Sequence, residues 1–396
     1  MLAATLLAAG LAGAQPAGRA LSILGGTRQG LTISGGRLYK GGQRFVIRGF
    51  SMEAAVVPRW CSAYRWGVMA RRHYGARELH TYIHRWHANT IRLQVSQEGL
   101  GDTSRHNARQ ISSYLAQIKN QVAIARRAGL VVILAMQDQW PRSCGEQYEL
   151  PNAQTVRAWK KLSARFSRDP DVIFELYNEP EAGGSDAQWK QWAYGGSSPL
   201  RNAGRTKRPT RAVGEETLVH DLRGWGADNV ILVDGGNWAE NLNGTASYPI
   251  TNVGSGRGVG YAVHPYKFNR YGGESADRAE WQSAYGFVAD AGRLVVVTEW
   301  SYSAHRCSSS APAVAPKFLS YLEARGIGMT AYAGDVMHHT MANWNFNPTA
   351  CGGPHIGGSG RQTMNWFARL ASQRGRGRSS SDARISPVRS RSGPQS

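Results

Sequence analysis

"VIFELYNEPEAGG", residues 172–184, is an apolar run that stops abruptly on an amide, a carboxylate and a proline, Asn178, Glu179 and Pro180. A strand that ends this way has left the core and faces something at its tip. The same pattern recurs. Short runs rich in β-branched residues and closing on polar ones lie at 44–51, 89–96, 130–138, 171–179, 229–236, 260–266, 294–300 and 326–335. Segments with apolar residues three and four apart fill the intervals, at 76–88, 107–129, 152–167, 214–227, 274–292, 315–326 and 361–372. Gly129 ends the second of these as a C-terminal cap. Strands apolar along their whole length suit a parallel sheet buried on both faces, and eight of them alternating with helices predict an α/β fold, a closed (β/α)8 barrel. No G-x-G-x-x-G follows the first run, which speaks against a dinucleotide fold. Residues 31–45 predict a small hairpin capping the barrel bottom. The Gly- and Ser-rich stretch 181–210 predicts an overhanging loop.

The chain divides into a signal-peptide-like segment at 1–15, one barrel domain at 30–372 and a disordered Arg/Ser-rich tail at 373–396. The first segment is apolar, ends on the small residues Ala12-Gly13-Ala14 and is too short to span a bilayer. A secreted protein, extracellular or periplasmic, is therefore expected, without membrane insertion and as a monomer. The four cysteines, Cys61, Cys144, Cys307 and Cys351, stand in loop-like sequence with no C-x-x-C spacing, as disulfides rather than a zinc or thioredoxin site would. The expected pairs are Cys61 with Cys144 and Cys307 with Cys351. The formal charge is +20, of which six Arg and one Asp beyond residue 373 account for +5. The remainder reads as spread over the globular part, with no nucleic-acid motif, so no nucleic-acid partner is expected. An anionic polysaccharide is the sharper partner for such a charge.

In a barrel of this kind function collects at the C-terminal ends of the strands. The polar residues closing the eight runs are Arg48, Arg92, Gln137 with Asp138, Asn178 with Glu179, Trp238, His264 with Tyr266, Glu299, and Tyr332 with Asp335. Glu179 and Glu299 end runs four and seven, across the barrel from one another. Two converging carboxylates are what glycosidic cleavage asks for, one giving a proton and the other ionised. Arg92 near Glu299 would hold that carboxylate charged, and Asn178 can donate to a sugar hydroxyl. Each residue also has a structural reading: Glu179 as a turn residue, Glu299 as an ion pair with Arg48 or Arg92, His264 and Tyr266 as core groups, Trp238 and Trp344 as packing. His338 and His339 are adjacent, point apart and have no carboxylate at ligand spacing, so no metal and no cofactor is expected.

The "LYNEP" and "VVVTEW" closures, with Arg92 in "NTIRLQV", His264 and Tyr266 in "YAVHPY", and "GGNWAE" after run five, resemble glycoside hydrolase family 5, the cellulase family, in the clan of retaining (β/α)8 glycosidases. The resemblance covers roughly residues 30 to 370. It implies Glu179 as acid/base and Glu299 as nucleophile, with a covalent glycosyl-enzyme and retained configuration. Two positions depart from the family pattern: Gln137 stands where His is usual, and Tyr332 where a Trp floors the sugar site, with Trp344 as a substitute. The resulting expectation is a retaining endo-β-1,4-glycosidase, endoglucanase-like, acting on a polysaccharide. Alternatives are a β-mannanase or other variant acting on a different, anionic glycan, and a non-catalytic carbohydrate-binding barrel.

Overall fold

The computed structural model describes residues 30–62, 64–137, 148–197, 211–251, 256–266, 278–301, 311–335, 341, 346–347 and 359–381. Eight parallel strands close the barrel: β4 (Arg48–Met52), β5 (Thr90–Ser96), β6 (Val131–Gln137), β7 (Val172–Glu175), β10 (Ile231–Asp234), β11 (Val259–Val263), β12 (Val295–Val297) and β13 (Gly328–Ala331), which pairs back onto β4. Each begins and ends within a few residues of the run expected from sequence.

Alternation along the strands decides what the barrel holds, because successive side chains point to opposite faces. In β5, Ile91, Leu93 and Val95 pack outward into the layer beneath the helices, in one cluster with Leu79, Tyr82, Trp86 and Ile118. In β6, Val132, Leu134 and Met136 join that layer, whereas Val131 and Ile133 belong to a second cluster inside the barrel with Ile173, Leu232, Ala262 and Val296. The interior register of β5 is therefore left to Arg92, Gln94 and Ser96. "TIRLQVS" is an apolar strand on its outer face and a polar one on its inner face.

The interior cluster is completed from below. β1 (Leu31–Ser34), β2 (Arg37–Lys40) and β3 (Gln43–Arg44) form a three-stranded antiparallel sheet rather than a two-stranded hairpin. Leu31, Leu38, Phe45 and Ile47 enter the same interior cluster. The Leu31 and Ile33 amides donate to the carbonyls of Pro170 and Arg257, in the loops that feed β7 and β11. The sheet is a plug at the N-terminal end of the barrel, where the sequence places a cap.

Helix ends follow their local chemistry. Asn107 and Asn152 each cap a helix through a reciprocal capping box, at Ala108–Arg127 and Ala153–Phe166. Gly129 has φ of +83°, and the Leu130 amide reaches back to the Ala125 carbonyl, closing the helix as expected. Three expectations need correction. Part of 181–210 is ordered secondary structure: a helix at Asp186–Tyr194, capped by Ser185, runs into β8 (Gly195–Ser197), which pairs with β9 (Arg211–Val213). The helix expected at 274–292 is described as Arg278–Trp281, a π-helical turn Gln282–Gly286 and Phe287–Asp290. Arg48 is the first residue of β4, at the end opposite the strand tips, where it shares a cleft with Arg44, Glu323 and Trp366. The last helix, Ser359–Ser381, carries the chain past residue 372. No described helix is long and apolar enough to cross a membrane.

Candidate active site

At the strand tips, Glu179 follows β7 in a left-handed backbone conformation, φ +54°, which non-glycine residues adopt at a cost. Its amide donates to Asp234 Oδ2 at 3.0 Å, a contact from the end of β10 that holds this geometry. The carboxylate remains partly exposed, with 31% of the side chain accessible. Glu299, after β12, is almost enclosed, at 7%. One oxygen of each carboxylate and a ring nitrogen of His264 lie within 4.8 Å of one another. Sequence reasoning brought these two together, and the barrel does so across its mouth.

Each carboxylate has its own environment. Glu299 Oε1 accepts from Arg92 Nη1 at 2.5 Å and from Gln94 Nε2 at 2.7 Å, and Oε2 accepts from the Tyr266 hydroxyl at 3.2 Å. Burial pushes its carboxyl above the ordinary value, against the pull of His264 and Arg92. Glu179 Oε1 instead lies 3.0 Å from His264 Nδ1. The tautomer follows from what stands behind the ring. Burial opposes charge on Glu175, yet Arg92 holds that carboxyl below its ordinary value, so it accepts. The Thr298 hydroxyl donates to Glu175 Oε1 at 3.1 Å and accepts from His264 Nε2, 2.9 Å away. With Nε2 turned to Thr298, Nδ1 is the ring nitrogen that faces Glu179.

Arg92 is the hub beneath both. Fully buried, it grips Glu175 with Nε and Nη2 at 2.8 and 2.6 Å, and donates to Ser51, Glu299 and Asn178. Because Arg92 can only donate, the Asn178 carbonyl oxygen must face it, which turns the Asn178 amide NH2 away from Arg92. Burial works against the Arg92 charge; Glu175 and Glu299 outweigh it, and its pKa is raised.

The remaining expectations sort by place. Gln137 closes β6, and its Oε1 is buried without a hydrogen bond among the described residues. Trp238 has φ of +58°, and its amide donates to the Pro180 carbonyl, which fixes it beside the Glu179 turn. Tyr332 follows β13, joined to Ala333 by a cis peptide, and its hydroxyl donates to Glu53. Trp344 and Asp138 lie outside the described residues, as do His338 and His339. Cys61 is buried and not a free thiol, while Cys144, Cys307 and Cys351 lie outside the described residues. Asp335 lines no open surface: both its oxygens accept backbone amides, from Glu53 and Ala54.

Sequence reading missed Glu53, Gln94, Glu175, Asp234 and Thr298. Glu53 follows β4 and accepts the hydroxyls of Tyr64 and Tyr332, its carboxyl raised by burial. Asp234 is raised well above its ordinary value by burial and by Glu175. Gln94 and Glu175 had a signal, since each holds the inward register of its strand. Glu175, Asp234 and His264, like Glu179, His264 and Glu299, have donor atoms close enough to hold a cation. Arg92 already supplies positive charge to Glu175 and Glu299, and both His264 nitrogens are engaged, so a cation would have to displace these bonds.

A family model described as Cellulase (glycosyl hydrolase family 5) matches residues 38–338. Endoglucanase Z of Dickeya dadantii (strain 3937) is 23% identical over 148 residues, 37% of this chain and 27% of that protein, so the chain spans about a quarter of the length of that relative. Among solved structures, the β-glucanase SdGluc5_26A of Saccharophagus degradans is similar with a TM-score of 0.59 at 20% identity, covering 88% of this chain and 94% of that one. The catalytic domain of Thermobifida fusca endoglucanase Cel5A (E5) gives 0.58 at 18%, over 86% and 98%. The endocellulase of the archaeon Pyrococcus horikoshii gives 0.60 at 16%, over 86% and 98%.

Proposed function

The chain belongs to glycosyl hydrolase family 5, and from that premise we propose that it is an exported, retaining endo-β-1,4-glucanase whose acid/base is Glu179 and whose nucleophile is Glu299. The observation that carries this reading is the approach of the two carboxylates to within 4.8 Å around His264. Retaining enzymes place them about 5–5.5 Å apart, and inverting ones leave about 6.5–9.5 Å for a water. Glu179, partly exposed and 3.0 Å from His264 Nδ1, acts as the acid and gives its proton to the glycosidic oxygen as the bond to the anomeric carbon breaks. Glu299 Oε2 or Oε1 attacks that carbon from the other face and forms the glycosyl-enzyme. Arg92, Gln94 and Tyr266 hold the attacking carboxylate in place. Glu179, now a carboxylate, takes a proton from water, whose oxygen displaces Glu299 and releases the sugar with its configuration retained.

The sugar in the bowl is neutral in this reading. Glu179 and Glu299 meet at the mouth, and a nucleophile that must be ionised to attack disfavours an anionic ring there. Glucan is preferred over mannan because the similar structures are a glucanase, an endoglucanase and an endocellulase. Export is supported by the apolar segment at 1–15 and by the bound state of Cys61; its proposed partner is Cys144, with Cys307 paired to Cys351. Gln137 and Tyr332 favour one second reading, a barrel that binds glycan without cutting it.

Reducing-sugar release from soluble neutral and anionic polysaccharides, for wild type and Glu299→Gln, tests both. Cleavage of a β-1,4-glucan that falls by about 10³-fold or more in the variant is expected, with β-configured product seen first by NMR. Binding without cleavage by the wild type would leave the second reading. An α-configured first product would sink the retaining mechanism.

A further inference from the structure

Part of the charge that sequence reading spreads over the barrel lies in the first β/α unit. Residues 59–87 hold six arginines, Arg59, Arg65, Arg71, Arg72, Arg77 and Arg85, and one acid, Glu78, so that this stretch carries +5. Four of the eleven histidines, His73, His80, His84 and His87, lie in it too. The stretch folds as helix Arg65–Ala70, a 3-10 turn Arg71–His73 and helix Ala76–Trp86, joined by Tyr74 and Gly75. The second helix buries Leu79, Tyr82 and Trp86 and leaves Arg77, His80, His84 and Arg85 exposed, with the His80 and His84 rings 4.0 Å apart. Arg59, Arg65 and Arg72 are exposed as well. No ion pair engages Arg59, Arg65, Arg72 or Arg77 among the described residues. By contrast, Arg369 is neutralised by Glu323 and Arg105 by Asp102.

We propose that this face is a docking surface for an anionic polysaccharide, separate from the chain that is cut. Guanidinium groups without an ion pair attract a polyanion at long range and bind carboxylates in fork geometry at short range. The ring of Trp60, next to Arg59, lies edge-on 5.7 Å from His106 and is only partly buried, adding an aromatic surface of the kind a sugar ring can cover. The face adjoins the bowl: Tyr64, one residue before the first helix, donates to Glu53 at the tip of β4. A polymer held there keeps the mouth of the barrel near whatever glucan is mixed with it. Choosing a polysaccharide over another polyanion rests on the glycanase reading.

The test measures retention on polygalacturonate and, separately, hydrolysis of a soluble neutral β-glucan. Two full-length variants remove the same charge: Arg59→Gln/Arg65→Gln/Arg72→Gln/Arg77→Gln, and Lys119→Gln/Arg127→Gln/Lys160→Gln/Arg165→Gln, four exposed positions on other helices. The first is expected to weaken polygalacturonate binding at low salt by about tenfold or more, and the second by less than about twofold. Glucan hydrolysis should be unchanged in both. Equal losses would reduce the effect to net charge and overturn the surface. Duplex DNA held as tightly at the same salt would replace the polysaccharide with nucleic acid. Cleavage of polygalacturonate by the wild type would make the face part of the substrate cleft. Wild type that is inactive on every neutral glucan yet retained through these arginines would sink the proposed function and leave this surface standing.

Discussion

Arg92 makes five hydrogen bonds to four side chains from a position with no solvent contact. A lysine there keeps the charge and loses the planar fork that grips Glu175. Arg92→Lys is expected to destabilise the fold by about 3–5 kcal/mol, the cost of a buried carboxylate left short of its partner, and to lower kcat/KM by about a hundredfold through misplacement of Glu299. Urea unfolding and steady-state kinetics on the same preparation read both. Glu299 also sets a pH limit. The nucleophile must be ionised, and burial raises its pKa above that of an ordinary glutamate. Activity should therefore appear, as pH rises, at a higher pH than an ordinary glutamate would give, and the limb in kcat/KM should move higher still in Arg92→Lys. A limb at or below the ordinary value would show that Arg92 and His264 outweigh burial. Residues such as Glu179, Glu299 and His264 were legible because each ends an apolar run. Asp234 and Thr298 were not, since their roles exist only once β7, β10, β11 and β12 stand side by side.

At the level of elements, β5 shows how much a strand conceals when judged by hydrophobicity alone. Its outer face makes it a strand, and its inner face supplies Arg92 and Gln94 to the site. The helix Asp186–Tyr194 shows the opposite case. Gly183, Gly184, Gly195 and Gly196 bracket it, and in sequence they mark a loop, yet Ser185 caps the helix by accepting from the Gln188 amide. Trp189 and Trp192 bury themselves against each other, with centroids 5.1 Å apart, and the Trp192 indole donates to the Asp234 carbonyl at 3.0 Å. Trp192→Ala should cost about 3–5 kcal/mol. It should also lower activity, because the tip of β10 that holds the Glu179 amide loses its brace. Thermal unfolding and glucan hydrolysis at a temperature where the variant is fully folded separate the two effects.

For the molecule as a whole, the barrel was legible because eight runs at βα spacing leave few other closed arrangements. Arg48 shows the limit: the apolar run containing it was read without its register, so its end of the barrel could not be assigned. One buried acid acts on the stability of the entire fold. Glu215 starts the helix Glu215–Gly224, has no exposure, and neither carboxylate oxygen has a hydrogen-bond partner among the described residues. Burial raises its pKa well above that of an ordinary glutamate. The folded state therefore keeps a proton that the unfolded chain gives up, and stability falls as pH climbs from the unfolded value through the folded one. Glu215→Met should stabilise the protein by about 1–3 kcal/mol at pH 8 and by less at pH 4, a difference readable in paired denaturation curves. Equal shifts at both values would point to packing alone.

The plug at the base has a practical side. Residue 30 enters at the N-terminal end of the barrel, tied to Pro170 and Arg257 through its sheet, and the catalytic mouth opens at the other end. A tether fused ahead of residue 30 and fixed to a bead or a fibre would present the enzyme mouth-outward, with the full depth of the barrel between the anchor and its substrate.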